Sequence, residues 1–345
     1  MNTQILRLFF LFSLGLVAFI KMAPAWLLQE SPTQPSQDEA TFSIKVNVDL
    51  VVLNATVVDG KGQNVTHLKR EDFSIYEDEI QQAIAEFLPV EAPFNLALVL
   101  DTSNSVRTGL TLIKKAANEF TQQLRPADRI AIAEFNASVR QVLDLTGDRA
   151  ILKRAINNLT VSSYAGSKVY DGIAQAVYRL RSSSTGRNAI VILSDGMENS
   201  SRFKFDGLRI LLAQSDAVLF PVTILNKERQ QNQLEAYINS HSESDPYVAN
   251  ARASLAFLTE MYQMQTQRLQ TLAQDSGGRV FVVSNLVDLA GEYSKIAQEL
   301  RTTYSLAYYS TNPQRDGTFR QLRVGVRTPG FKVLTRSRYF VPREE

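Results

Sequence analysis

The stretch FNLALVLDTSNS, residues 94–105, is an apolar run that ends abruptly in small, oxygen-bearing side chains. Its seven residues from Phe94 to Leu100 carry no charge, which is typical of a strand buried on both faces of a sheet. Asp101, Ser103 and Ser105 then follow at the carboxyl end of that strand, where open α/β sheets bind their ligands. Such donors favour a hard cation such as Mg²⁺, although Asp, Ser and Asn are also ordinary turn residues.

After this strand, apolar runs of strand length alternate with segments of helical periodicity, which indicates a parallel sheet with crossover helices. Strands are predicted at 96–100, 130–135, 189–193, 218–224 and 279–283, with a short edge strand at 139–143. Helices are predicted at 112–124, 149–159, 169–180, 208–213, 251–273 and 286–300. The polar stretch 227–250 lacks clear periodicity, and we expect a disordered surface insertion there rather than a site.

Both flanks of this α/β block read as β structure. Apolar residues alternate along 44–52 and again along 304–309, 319–326 and 331–335, and Asp59-Gly60-Lys61-Gly62 predicts a hairpin turn. The two flanks form either separate pieces or one β-sandwich with the α/β domain inserted into it. We favour the sandwich because short β ribbons are marginally stable alone. The expected fold is therefore a doubly wound, mostly parallel α/β sheet with helices on both faces, flanked by a small β-sandwich.

The N-terminus predicts export. Arg7 precedes the apolar run 8–20, and Ala23-Pro24-Ala25 gives a small-x-small cleavage site, so residues 1–25 resemble a signal peptide. An uncleaved anchor extended by residues 26–28 is the alternative. The expected divisions are then a linker at 26–40, a β-rich part at 41–92, the α/β domain at 93–301 and a β-rich part at 302–345.

Charge and composition exclude several classes of function. The formal charge of +2 falls to 0 once the leader is removed, because the leader carries Arg7 and Lys21 and no acidic residue. No overall field therefore points to nucleic acid or to a membrane surface, and we expect membrane contact only through an uncleaved N-terminus. The chain has no cysteine and only His67 and His241, which excludes thiol catalysis and leaves little material for histidine-dependent sites.

Two later segments add oxygen ligands to the first loop. Ser167 follows Ala165-Gly166 directly before a predicted helix, and Asp195 follows the apolar strand that ends at Ser194. Both fall at the same predicted edge of the sheet as Asp101. Mg²⁺ takes octahedral oxygen coordination and keeps some waters. Several neutral hydroxyls and few charges would leave the ion electrophilic, with a position open for an acidic ligand.

This set resembles the metal-ion-dependent adhesion site (MIDAS) of von Willebrand factor type A (VWFA) domains. The family pattern is D-x-S-x-S, then a threonine after a glycine-rich loop, then an aspartate after an apolar strand. The resemblance implies a site for Mg²⁺ or Mn²⁺ in which the serines ligate directly and the aspartates often act through water. The candidate ligands are Asp101, Ser103, Ser105, Ser167 and Asp195. Ser167 stands at the threonine position, which keeps the hydroxyl and loses a methyl group.

Further segments agree with this resemblance. RPADRI at 125–130 is similar to the entry of the second strand in VWFA domains, and SKVYD at 167–171 is similar to their loop-to-helix segment. LKREDF at 68–73 and YYSTNP at 308–313 resemble the flanks of an exported VWFA-related family first described in acidobacteria. The resemblance covers roughly residues 41–340.

The function implied is that of an exported, non-enzymatic binding module in the periplasm, in the medium or anchored in the envelope. A protein partner would complete the metal coordination with a Glu or Asp side chain. The first alternative is a structural VWFA scaffold of the cell envelope whose metal only orders loops. A metal-assisted hydrolase is a weaker alternative, because DTSNS lacks the second carboxylate of the aspartyl-phosphate D-x-D pattern and no histidine lies near the motifs.

Simpler interpretations apply to other polar residues. We expect Asp171 to cap or support its helix. Glu198 and Asn199 are expected in a solvated turn, and a place at the rim of the metal site is the alternative. The basic residues of the C-terminal β part are expected on a solvated sheet face, and contact with an anionic envelope polymer is the alternative; they are Arg320, Arg323, Arg327, Lys332, Arg336 and Arg338. Tyr304, Tyr308 and Tyr309 are expected to be packing residues.

Overall fold

The computed structural model describes residues 50–90, 92–181, 186–194, 197–224, 227–283 and 285–343. The expected leader at 1–25, the linker at 26–40 and the first residues of the first expected strand lie outside these ranges. Asp195 also lies outside the described residues. Within the described ranges, no helix is both long enough and apolar enough to cross a membrane.

Strands and helices follow one another in an order close to the expected one. The strands are β1 (Leu50–Val58), β2 (Phe73–Glu77), β3 (Ile80–Gln82), β4 (Ile84–Leu88), β5 (Phe94–Asp101), β6 (Arg129–Phe135), β7 (Val139–Thr146), β8 (Arg187–Ser194), β9 (Val218–Ile224), β10 (Phe281–Val283), β11 (Thr303–Tyr309), β12 (Phe319–Val326), β13 (Lys332–Leu334) and β14 (Arg338–Phe340). The helices are α1 (Leu110–Gln123), α2 (Arg149–Asn157), α3 (Val169–Leu180), α4 (Phe205–Ala213), α5 (Lys227–Ser240), α6 (Pro246–Ser276) and α7 (Leu289–Arg301).

The central sheet has the strand order β10-β9-β8-β5-β6-β7. Its neighbouring strands run parallel except for β7, which pairs antiparallel with β6 at the edge, as the sequence predicts. Strand β5 is buried at all eight positions, because helices cover both faces of the sheet. Leu96, Leu98 and Leu100 join the core formed with α1, α2 and α7. Ala97 and Val99 join the core formed with α3, α4 and α6.

The N- and C-terminal β segments pair with each other in two small antiparallel sheets, ordered β13-β1-β11-β4 and β14-β12-β2-β3. Strand β1 pairs with β11, so that Leu53 lies opposite Leu306, and β2 pairs with β12, so that Ile75 lies opposite Val324. One hydrophobic core contains side chains from both sheets, including those of Leu53, Ile75, Leu306 and Val324. The expected fold class, an α/β domain flanked by a small β-sandwich, is confirmed.

The sandwich packs against the amino ends of the parallel strands. Arg187, the first residue of β8, donates hydrogen bonds to the carbonyl oxygens of Val90, Ala92 and Thr303. On β1, the Asn54 side chain donates to the carbonyl of Asp216, just before β9, at 2.8 Å. Because the sandwich occupies this edge, the carboxyl edge of the sheet is left open for a site.

The structure corrects the expectation for residues 227–250. The segment forms α5 and the start of α6, which pack together as a helical hairpin. Leu234, Tyr237 and Ile238 are half-buried at helical spacing within the polar stretch. Asp245 caps α6 by accepting a hydrogen bond from the Tyr247 backbone N–H at 2.8 Å. The few apolar residues gain their partner only through the hairpin, so their pattern is weak in the sequence alone.

The basic C-terminal residues do not all form a solvated face, and the expectation is wrong for two of them. Arg323, Arg327 and Lys332 are exposed, as expected. Arg320 and Arg336 are buried, with 4% and 6% of their surfaces exposed. Tyr304 and Tyr308 are buried packing residues, whereas Tyr309 at the end of β11 is 53% exposed.

Candidate metal site at the carboxyl edge of the sheet

The topology brings two of the motif segments to one point of the sheet. Asp101 is the last residue of β5 and lies opposite Phe135 of β6. On the other side, Leu100 lies opposite Leu193, so Ser194 ends β8 beside Asp101. Chain connections leave in opposite directions from β5 and β8, which is the switch point where such sheets bind ligands. Asp101 is fully buried there.

The loop after β5 brings the hydroxyls of Ser103 and Ser105 close together. The carboxylate of Asp101 accepts a hydrogen bond from the Ser103 backbone N–H at 2.8 Å, which fixes the turn. Ser103 Oγ lies 2.8 Å from Ser105 Oγ. Two adjacent ligands of an octahedral Mg²⁺, each about 2.1 Å from the ion, lie about 3 Å apart. The serine pair therefore has the spacing of two neighbouring metal ligands. Ser103 is buried and Ser105 is exposed, so the pair opens toward solvent.

Thr102, between these ligands, anchors the loop to its neighbours. Its backbone N–H donates to the Phe135 carbonyl at 2.9 Å, and its hydroxyl accepts from the Asn136 side chain at 3.0 Å. The carbonyl of Asn136 accepts from the Lys168 backbone N–H at 3.1 Å. Asn136 thus joins the first loop to the loop that carries Ser167.

Ser167 is placed by a glycine and a helix start. Gly166 has φ +131°, and a Cβ there would lie 3.2 Å from the Ala137 Cα, so the turn requires glycine. The Ser167 side chain is buried, and α3 begins two residues later at Val169. Its hydroxyl has no hydrogen-bond partner among the residues that the structure describes. A buried hydroxyl of this kind is costly unless a ligand, an ion or a water satisfies it.

Glu198 is half-buried and Asn199 is exposed, and both side chains make hydrogen bonds beyond those of a solvated turn. The carboxylate of Glu198 accepts hydrogen bonds from the Tyr170 backbone N–H at 3.0 Å and from the Ser201 hydroxyl at 2.6 Å. The side-chain oxygen of Asn199 accepts from the Ser167 backbone N–H at 2.9 Å. Both residues clamp the loop after β8 onto the start of α3. The sequence shows only their proximity to Asp195.

Asp171 supports its helix by a related contact, as expected. Its carboxylate accepts hydrogen bonds from the backbone N–H groups of Arg202 and Phe203, each at 3.0 Å. Two acidic residues therefore hold the segment 198–203 against α3. The positive end of the helix dipole also favours these two carboxylates at the start of α3.

The donor set that the structure describes is rich in hydroxyls and poor in carboxylates. Among the residues that the structure describes, no group of three or more His, Asp and Glu side chains is placed to hold a metal ion. Asp101 is the one expected carboxylate ligand within the described ranges, beside Ser103, Ser105 and Ser167. Asp195 follows Ser194 in the chain but lies outside those ranges. Hydroxyl and carboxylate oxygens are the donors that hard cations such as Mg²⁺ and Mn²⁺ prefer.

An exposed tyrosine on the Ser167 loop escaped the sequence reasoning. Tyr164 is 77% exposed, and its backbone N–H donates to the Ser162 hydroxyl at 3.1 Å. The Ser162 N–H in turn donates to the Thr102 carbonyl at 2.8 Å, which connects this loop to the first loop of the site. Aromatic residues at the rim of a site are frequent anchors for protein partners. A single aromatic residue in a small-residue loop is the only signal of it in the sequence.

Residues 96–198 match the sequence profile of the von Willebrand factor type A domain. The chain therefore contains a VWFA domain. The matched segment includes all five residues of the expected metal site, and the predicted resemblance to this domain family is confirmed. The narrower resemblance to the exported acidobacterial group stays a prediction. No curated protein is significantly similar to the chain.

Several solved structures resemble this chain at low sequence identity. The conserved hypothetical protein BatB from Bacteroides thetaiotaomicron is 15% identical over 60% of this chain and 97% of its own, with a TM-score of 0.43. A von Willebrand factor type A protein from Catenulispora acidiphila is 13% identical over 78% and 72%, with a TM-score of 0.46. Proximal thread matrix protein 1 from the mussel byssus, with zinc in its MIDAS motif, is 14% identical over 65% and 50%, with a TM-score of 0.47. Similarities this weak carry no inference about ligands or partners.

Proposed function

We propose that the VWFA domain is a non-enzymatic module that binds a protein partner through a divalent cation, Mg²⁺ or Mn²⁺. The observation that carries the proposal is the buried Ser167 hydroxyl, which has no hydrogen-bond partner among the described residues. It is joined through Asn136 to a loop whose Ser103 and Ser105 hydroxyls lie at ligand spacing. A cation held by these three hydroxyls would satisfy the buried one.

The ligand set also supports the kind of partner proposed. Ser103, Ser105 and Ser167 are neutral, so Asp101 and Asp195 supply the only negative charges of the expected set. The bound cation would keep part of its charge and attract a further carboxylate. A Glu or Asp side chain of a partner protein would fill the open position, and the exposed Tyr164 would add contact area at the rim.

Neither histidine of the chain offers a general base at the candidate site. His241 follows the end of α5, where its ring stacks on Tyr237 at 4.0 Å, and His67 precedes β2 in the sandwich part. Neither the first loop nor the Ser167 loop contains a histidine. This supports binding over histidine-assisted hydrolysis, since a general base must lie within hydrogen-bond reach of the proton that it removes.

Metal affinity tests the first half of the proposal. We expect wild-type protein to bind one Mn²⁺ or Mg²⁺ per chain, as measured by calorimetry and by electron paramagnetic resonance of Mn²⁺. Asp101→Ala should weaken binding at least tenfold, because it removes a carboxylate from the site. Asp59→Ala is the matched control, since it removes an exposed carboxylate from a turn of the sandwich. Equal metal affinity in Asp101→Ala, with its circular dichroism unchanged, would contradict the site.

Capture of glutamate-containing peptides tests whether the metal site binds an acidic partner, and it distinguishes the proposal from a structural scaffold. Wild-type protein should retain random peptides that carry one fixed glutamate in Mg²⁺ and release them in EDTA. Asp101→Ala should not retain them. A scaffold whose metal only orders loops would bind metal without retaining such peptides. That result would support the metal site and contradict the adhesion function.

Export and the domain boundaries belong to the same proposal. Cleavage after Ala25 would release a chain that begins at Trp26, and the divisions at residues 41, 93 and 302 would bound its parts. N-terminal sequencing of protein from the periplasmic, membrane and secreted fractions distinguishes a cleaved protein from an anchored one. Recovery of the intact chain only in the cytoplasm would refute export.

A further inference from the structure

Helix α6 is unusually long, and its two halves have different surroundings. Its 31 residues span about 46 Å at 1.5 Å per residue. At the C-terminal end, Leu269 and Leu272 are buried against the central sheet, and Asp275 pairs with Arg338 of the sandwich. Nearer the middle, the Gln265 side chain donates to the Glu198 carbonyl at 3.3 Å, at the level of the candidate site. The residues before Gln265 therefore continue beyond the edge of the sheet.

Apolar side chains are exposed along this projecting half. Phe257 is 65% exposed and Met264 is 44% exposed, and Met261 between them is half-buried. Together with Arg268 they are spaced i, i+4, i+7 and i+11, which places them on one side of the helix. We call these four residues the α6 flank.

The C-terminal end of the α6 flank, at Arg268, lies on the side of the candidate site. The Arg268 guanidinium lies 5.5 Å from the centre of the Phe205 ring, and that ring lies 6.3 Å from the ring of Tyr170. Burial raises the pKa of the Tyr170 hydroxyl, and the nearby charge of Arg268 partly offsets this rise. Tyr170 is three residues after Ser167. Arg268 therefore lies on the side of α6 that faces the start of α3.

Helix α5 contacts α6 from another direction. The Gln231 side chain donates to the Thr259 hydroxyl at 2.7 Å. Thr259 lies about 160° around the helix from Phe257 and about 140° from Met264, because successive residues are rotated by about 100°. The hairpin partner therefore leaves Phe257 and Met264 exposed on the side that continues from Arg268.

We infer that the α6 flank is a docking surface for apolar side chains of the same acidic protein ligand that the metal site binds. The inference rests on the proposed function. The occupant is a partner segment that places a carboxylate at the metal and apolar residues against Phe257, Met261 and Met264. Arg268, between the apolar part and the start of α3, adds a positive charge that suits an acidic segment.

The size of the α6 flank favours this occupant over a second copy of the chain. A stable dimer buries about 800 Å² on each partner. One aromatic and two methionine side chains offer only a fraction of that area. They can strengthen a contact centred on the metal, and methionine adapts to apolar partners of different shape.

Peptide selection on two double variants tests the inference. The probe is a phage-displayed library of random peptides with one fixed glutamate, selected in Mg²⁺. Phe257→Gln/Met264→Gln removes the exposed apolar groups and keeps good helix formers. Ile80→Gln/Leu334→Gln is the matched control, since these sandwich residues are 60% and 49% exposed. Circular dichroism and thermal unfolding should be unchanged in both variants.

We expect wild-type protein to select peptides with Phe, Leu or Met at a preferred distance from the glutamate. The flank variant should bind these synthetic peptides at least about tenfold more weakly, and the control variant should bind them like wild type. The same peptides with serine at the apolar positions should bind wild type and flank variant equally. Equal affinity of wild type and flank variant for the apolar peptides would overturn this inference and leave the proposed function intact.

Other outcomes bear on the proposed function. If no glutamate peptide shows Mg²⁺-dependent binding, the proposed function fails and the inference fails with it. If apolar peptides without glutamate bind the flank in EDTA, the flank binds a ligand of its own, and the shared-ligand inference is overturned.

Discussion

Ser167 is the residue at which sequence and structure together define the candidate site. Its position in the chain matches the family's threonine, but the sequence cannot tell a ligand from a hydroxyl that caps a helix. In the folded chain the hydroxyl is buried and has no hydrogen-bond partner among the described residues. Its backbone N–H is already paired with Asn199. Because the Ser167 hydroxyl does not cap α3, it is available for a ligand.

Substitution of Ser167 tests this assignment. Ser167→Ala should lower the affinity for Mn²⁺ about tenfold or more and leave stability unchanged or slightly raised, because a buried polar group without a partner is removed. Ser167→Thr should keep metal affinity near that of wild type, since it retains the hydroxyl and adds only a methyl group. Calorimetric titration with Mn²⁺ measures both. Equal affinity of the alanine and wild-type proteins would remove Ser167 from the ligand set.

At the scale of the element, two carboxylates join the start of α3 to a segment that is distant in the sequence. Glu198 and Asp171 join the segment after β8 to the first turn of α3, which positions Ser167 relative to β5. The strands are the more predictable elements. Their apolar runs, such as that of β5, reflect burial on both faces, whereas α5 depends on contact with α6. The segment Met197–Ser201 has no periodicity from which its contacts could be predicted.

Removal of the Glu198 carboxylate tests the clamp. Glu198→Ala should lower the free energy of unfolding by about 1–3 kcal/mol, because the Tyr170 N–H and the Ser201 groups lose a charged acceptor. Metal affinity should also fall, since the Ser167 loop is less well ordered. Urea unfolding measures the first effect and Mn²⁺ titration the second. Glu292→Ala, which removes a half-buried carboxylate paired with Lys295 in the first turn of α7, is the control, and equal losses in both variants would contradict the clamp.

At the scale of the whole molecule, two buried arginines join the sandwich to the VWFA domain. Arg187, on β8 of the domain, donates to the carbonyls of Val90 and Ala92 before β5 and of Thr303 on β11. Arg336 donates to the carbonyls of Ala213 and Ser215 in the domain and of Val52 on β1. Burial lowers the pKa of Arg336 from 12.5 to about 10. Its partners in these contacts are neutral carbonyls, so the pairing depends on the relative placement of the two parts.

Arg336→Met should therefore lower the free energy of unfolding by about 2–4 kcal/mol, because three carbonyl oxygens between the two parts lose their donor. Arg323→Met, at an exposed position of β12, should change it by less than about 1 kcal/mol. Urea unfolding followed by tyrosine fluorescence measures both variants. A loss no larger in Arg336→Met than in Arg323→Met would show that the buried arginine does not stabilise the junction.

Buried tyrosines should make the molecule sensitive to alkali. Burial raises the pKa of Tyr339 from 10.0 to about 12, and burial also raises the pKa of Tyr293 and of Tyr308. Above pH 10 the unfolded chain releases these protons while the folded chain keeps them, so the free energy of unfolding falls as pH rises. Arg336 acts in the opposite direction over this range, but as one group against three.

Urea unfolding at several values between about pH 9 and pH 12 measures the effect. We expect stability to be constant below pH 10 and to decline above it, with a shallower decline in Tyr339→Phe. Tyr309→Phe, at an exposed position, is the control for that slope. A decline of the same steepness in wild type and Tyr339→Phe would refute the role of Tyr339.

The sequence by itself determined the class of fold and the order of the ligands. Uncharged runs such as Phe94–Leu100 have few alternatives to a buried parallel strand, and D-x-S-x-S must follow such a strand to be useful. Only the tertiary structure decided how the flanking strands interleave, that Arg336 is buried, that Glu198 is a clamp, and that α6 carries an exposed apolar flank beside the site. These features depend on contacts between residues far apart in the chain, and such contacts leave no local periodicity or turn pattern.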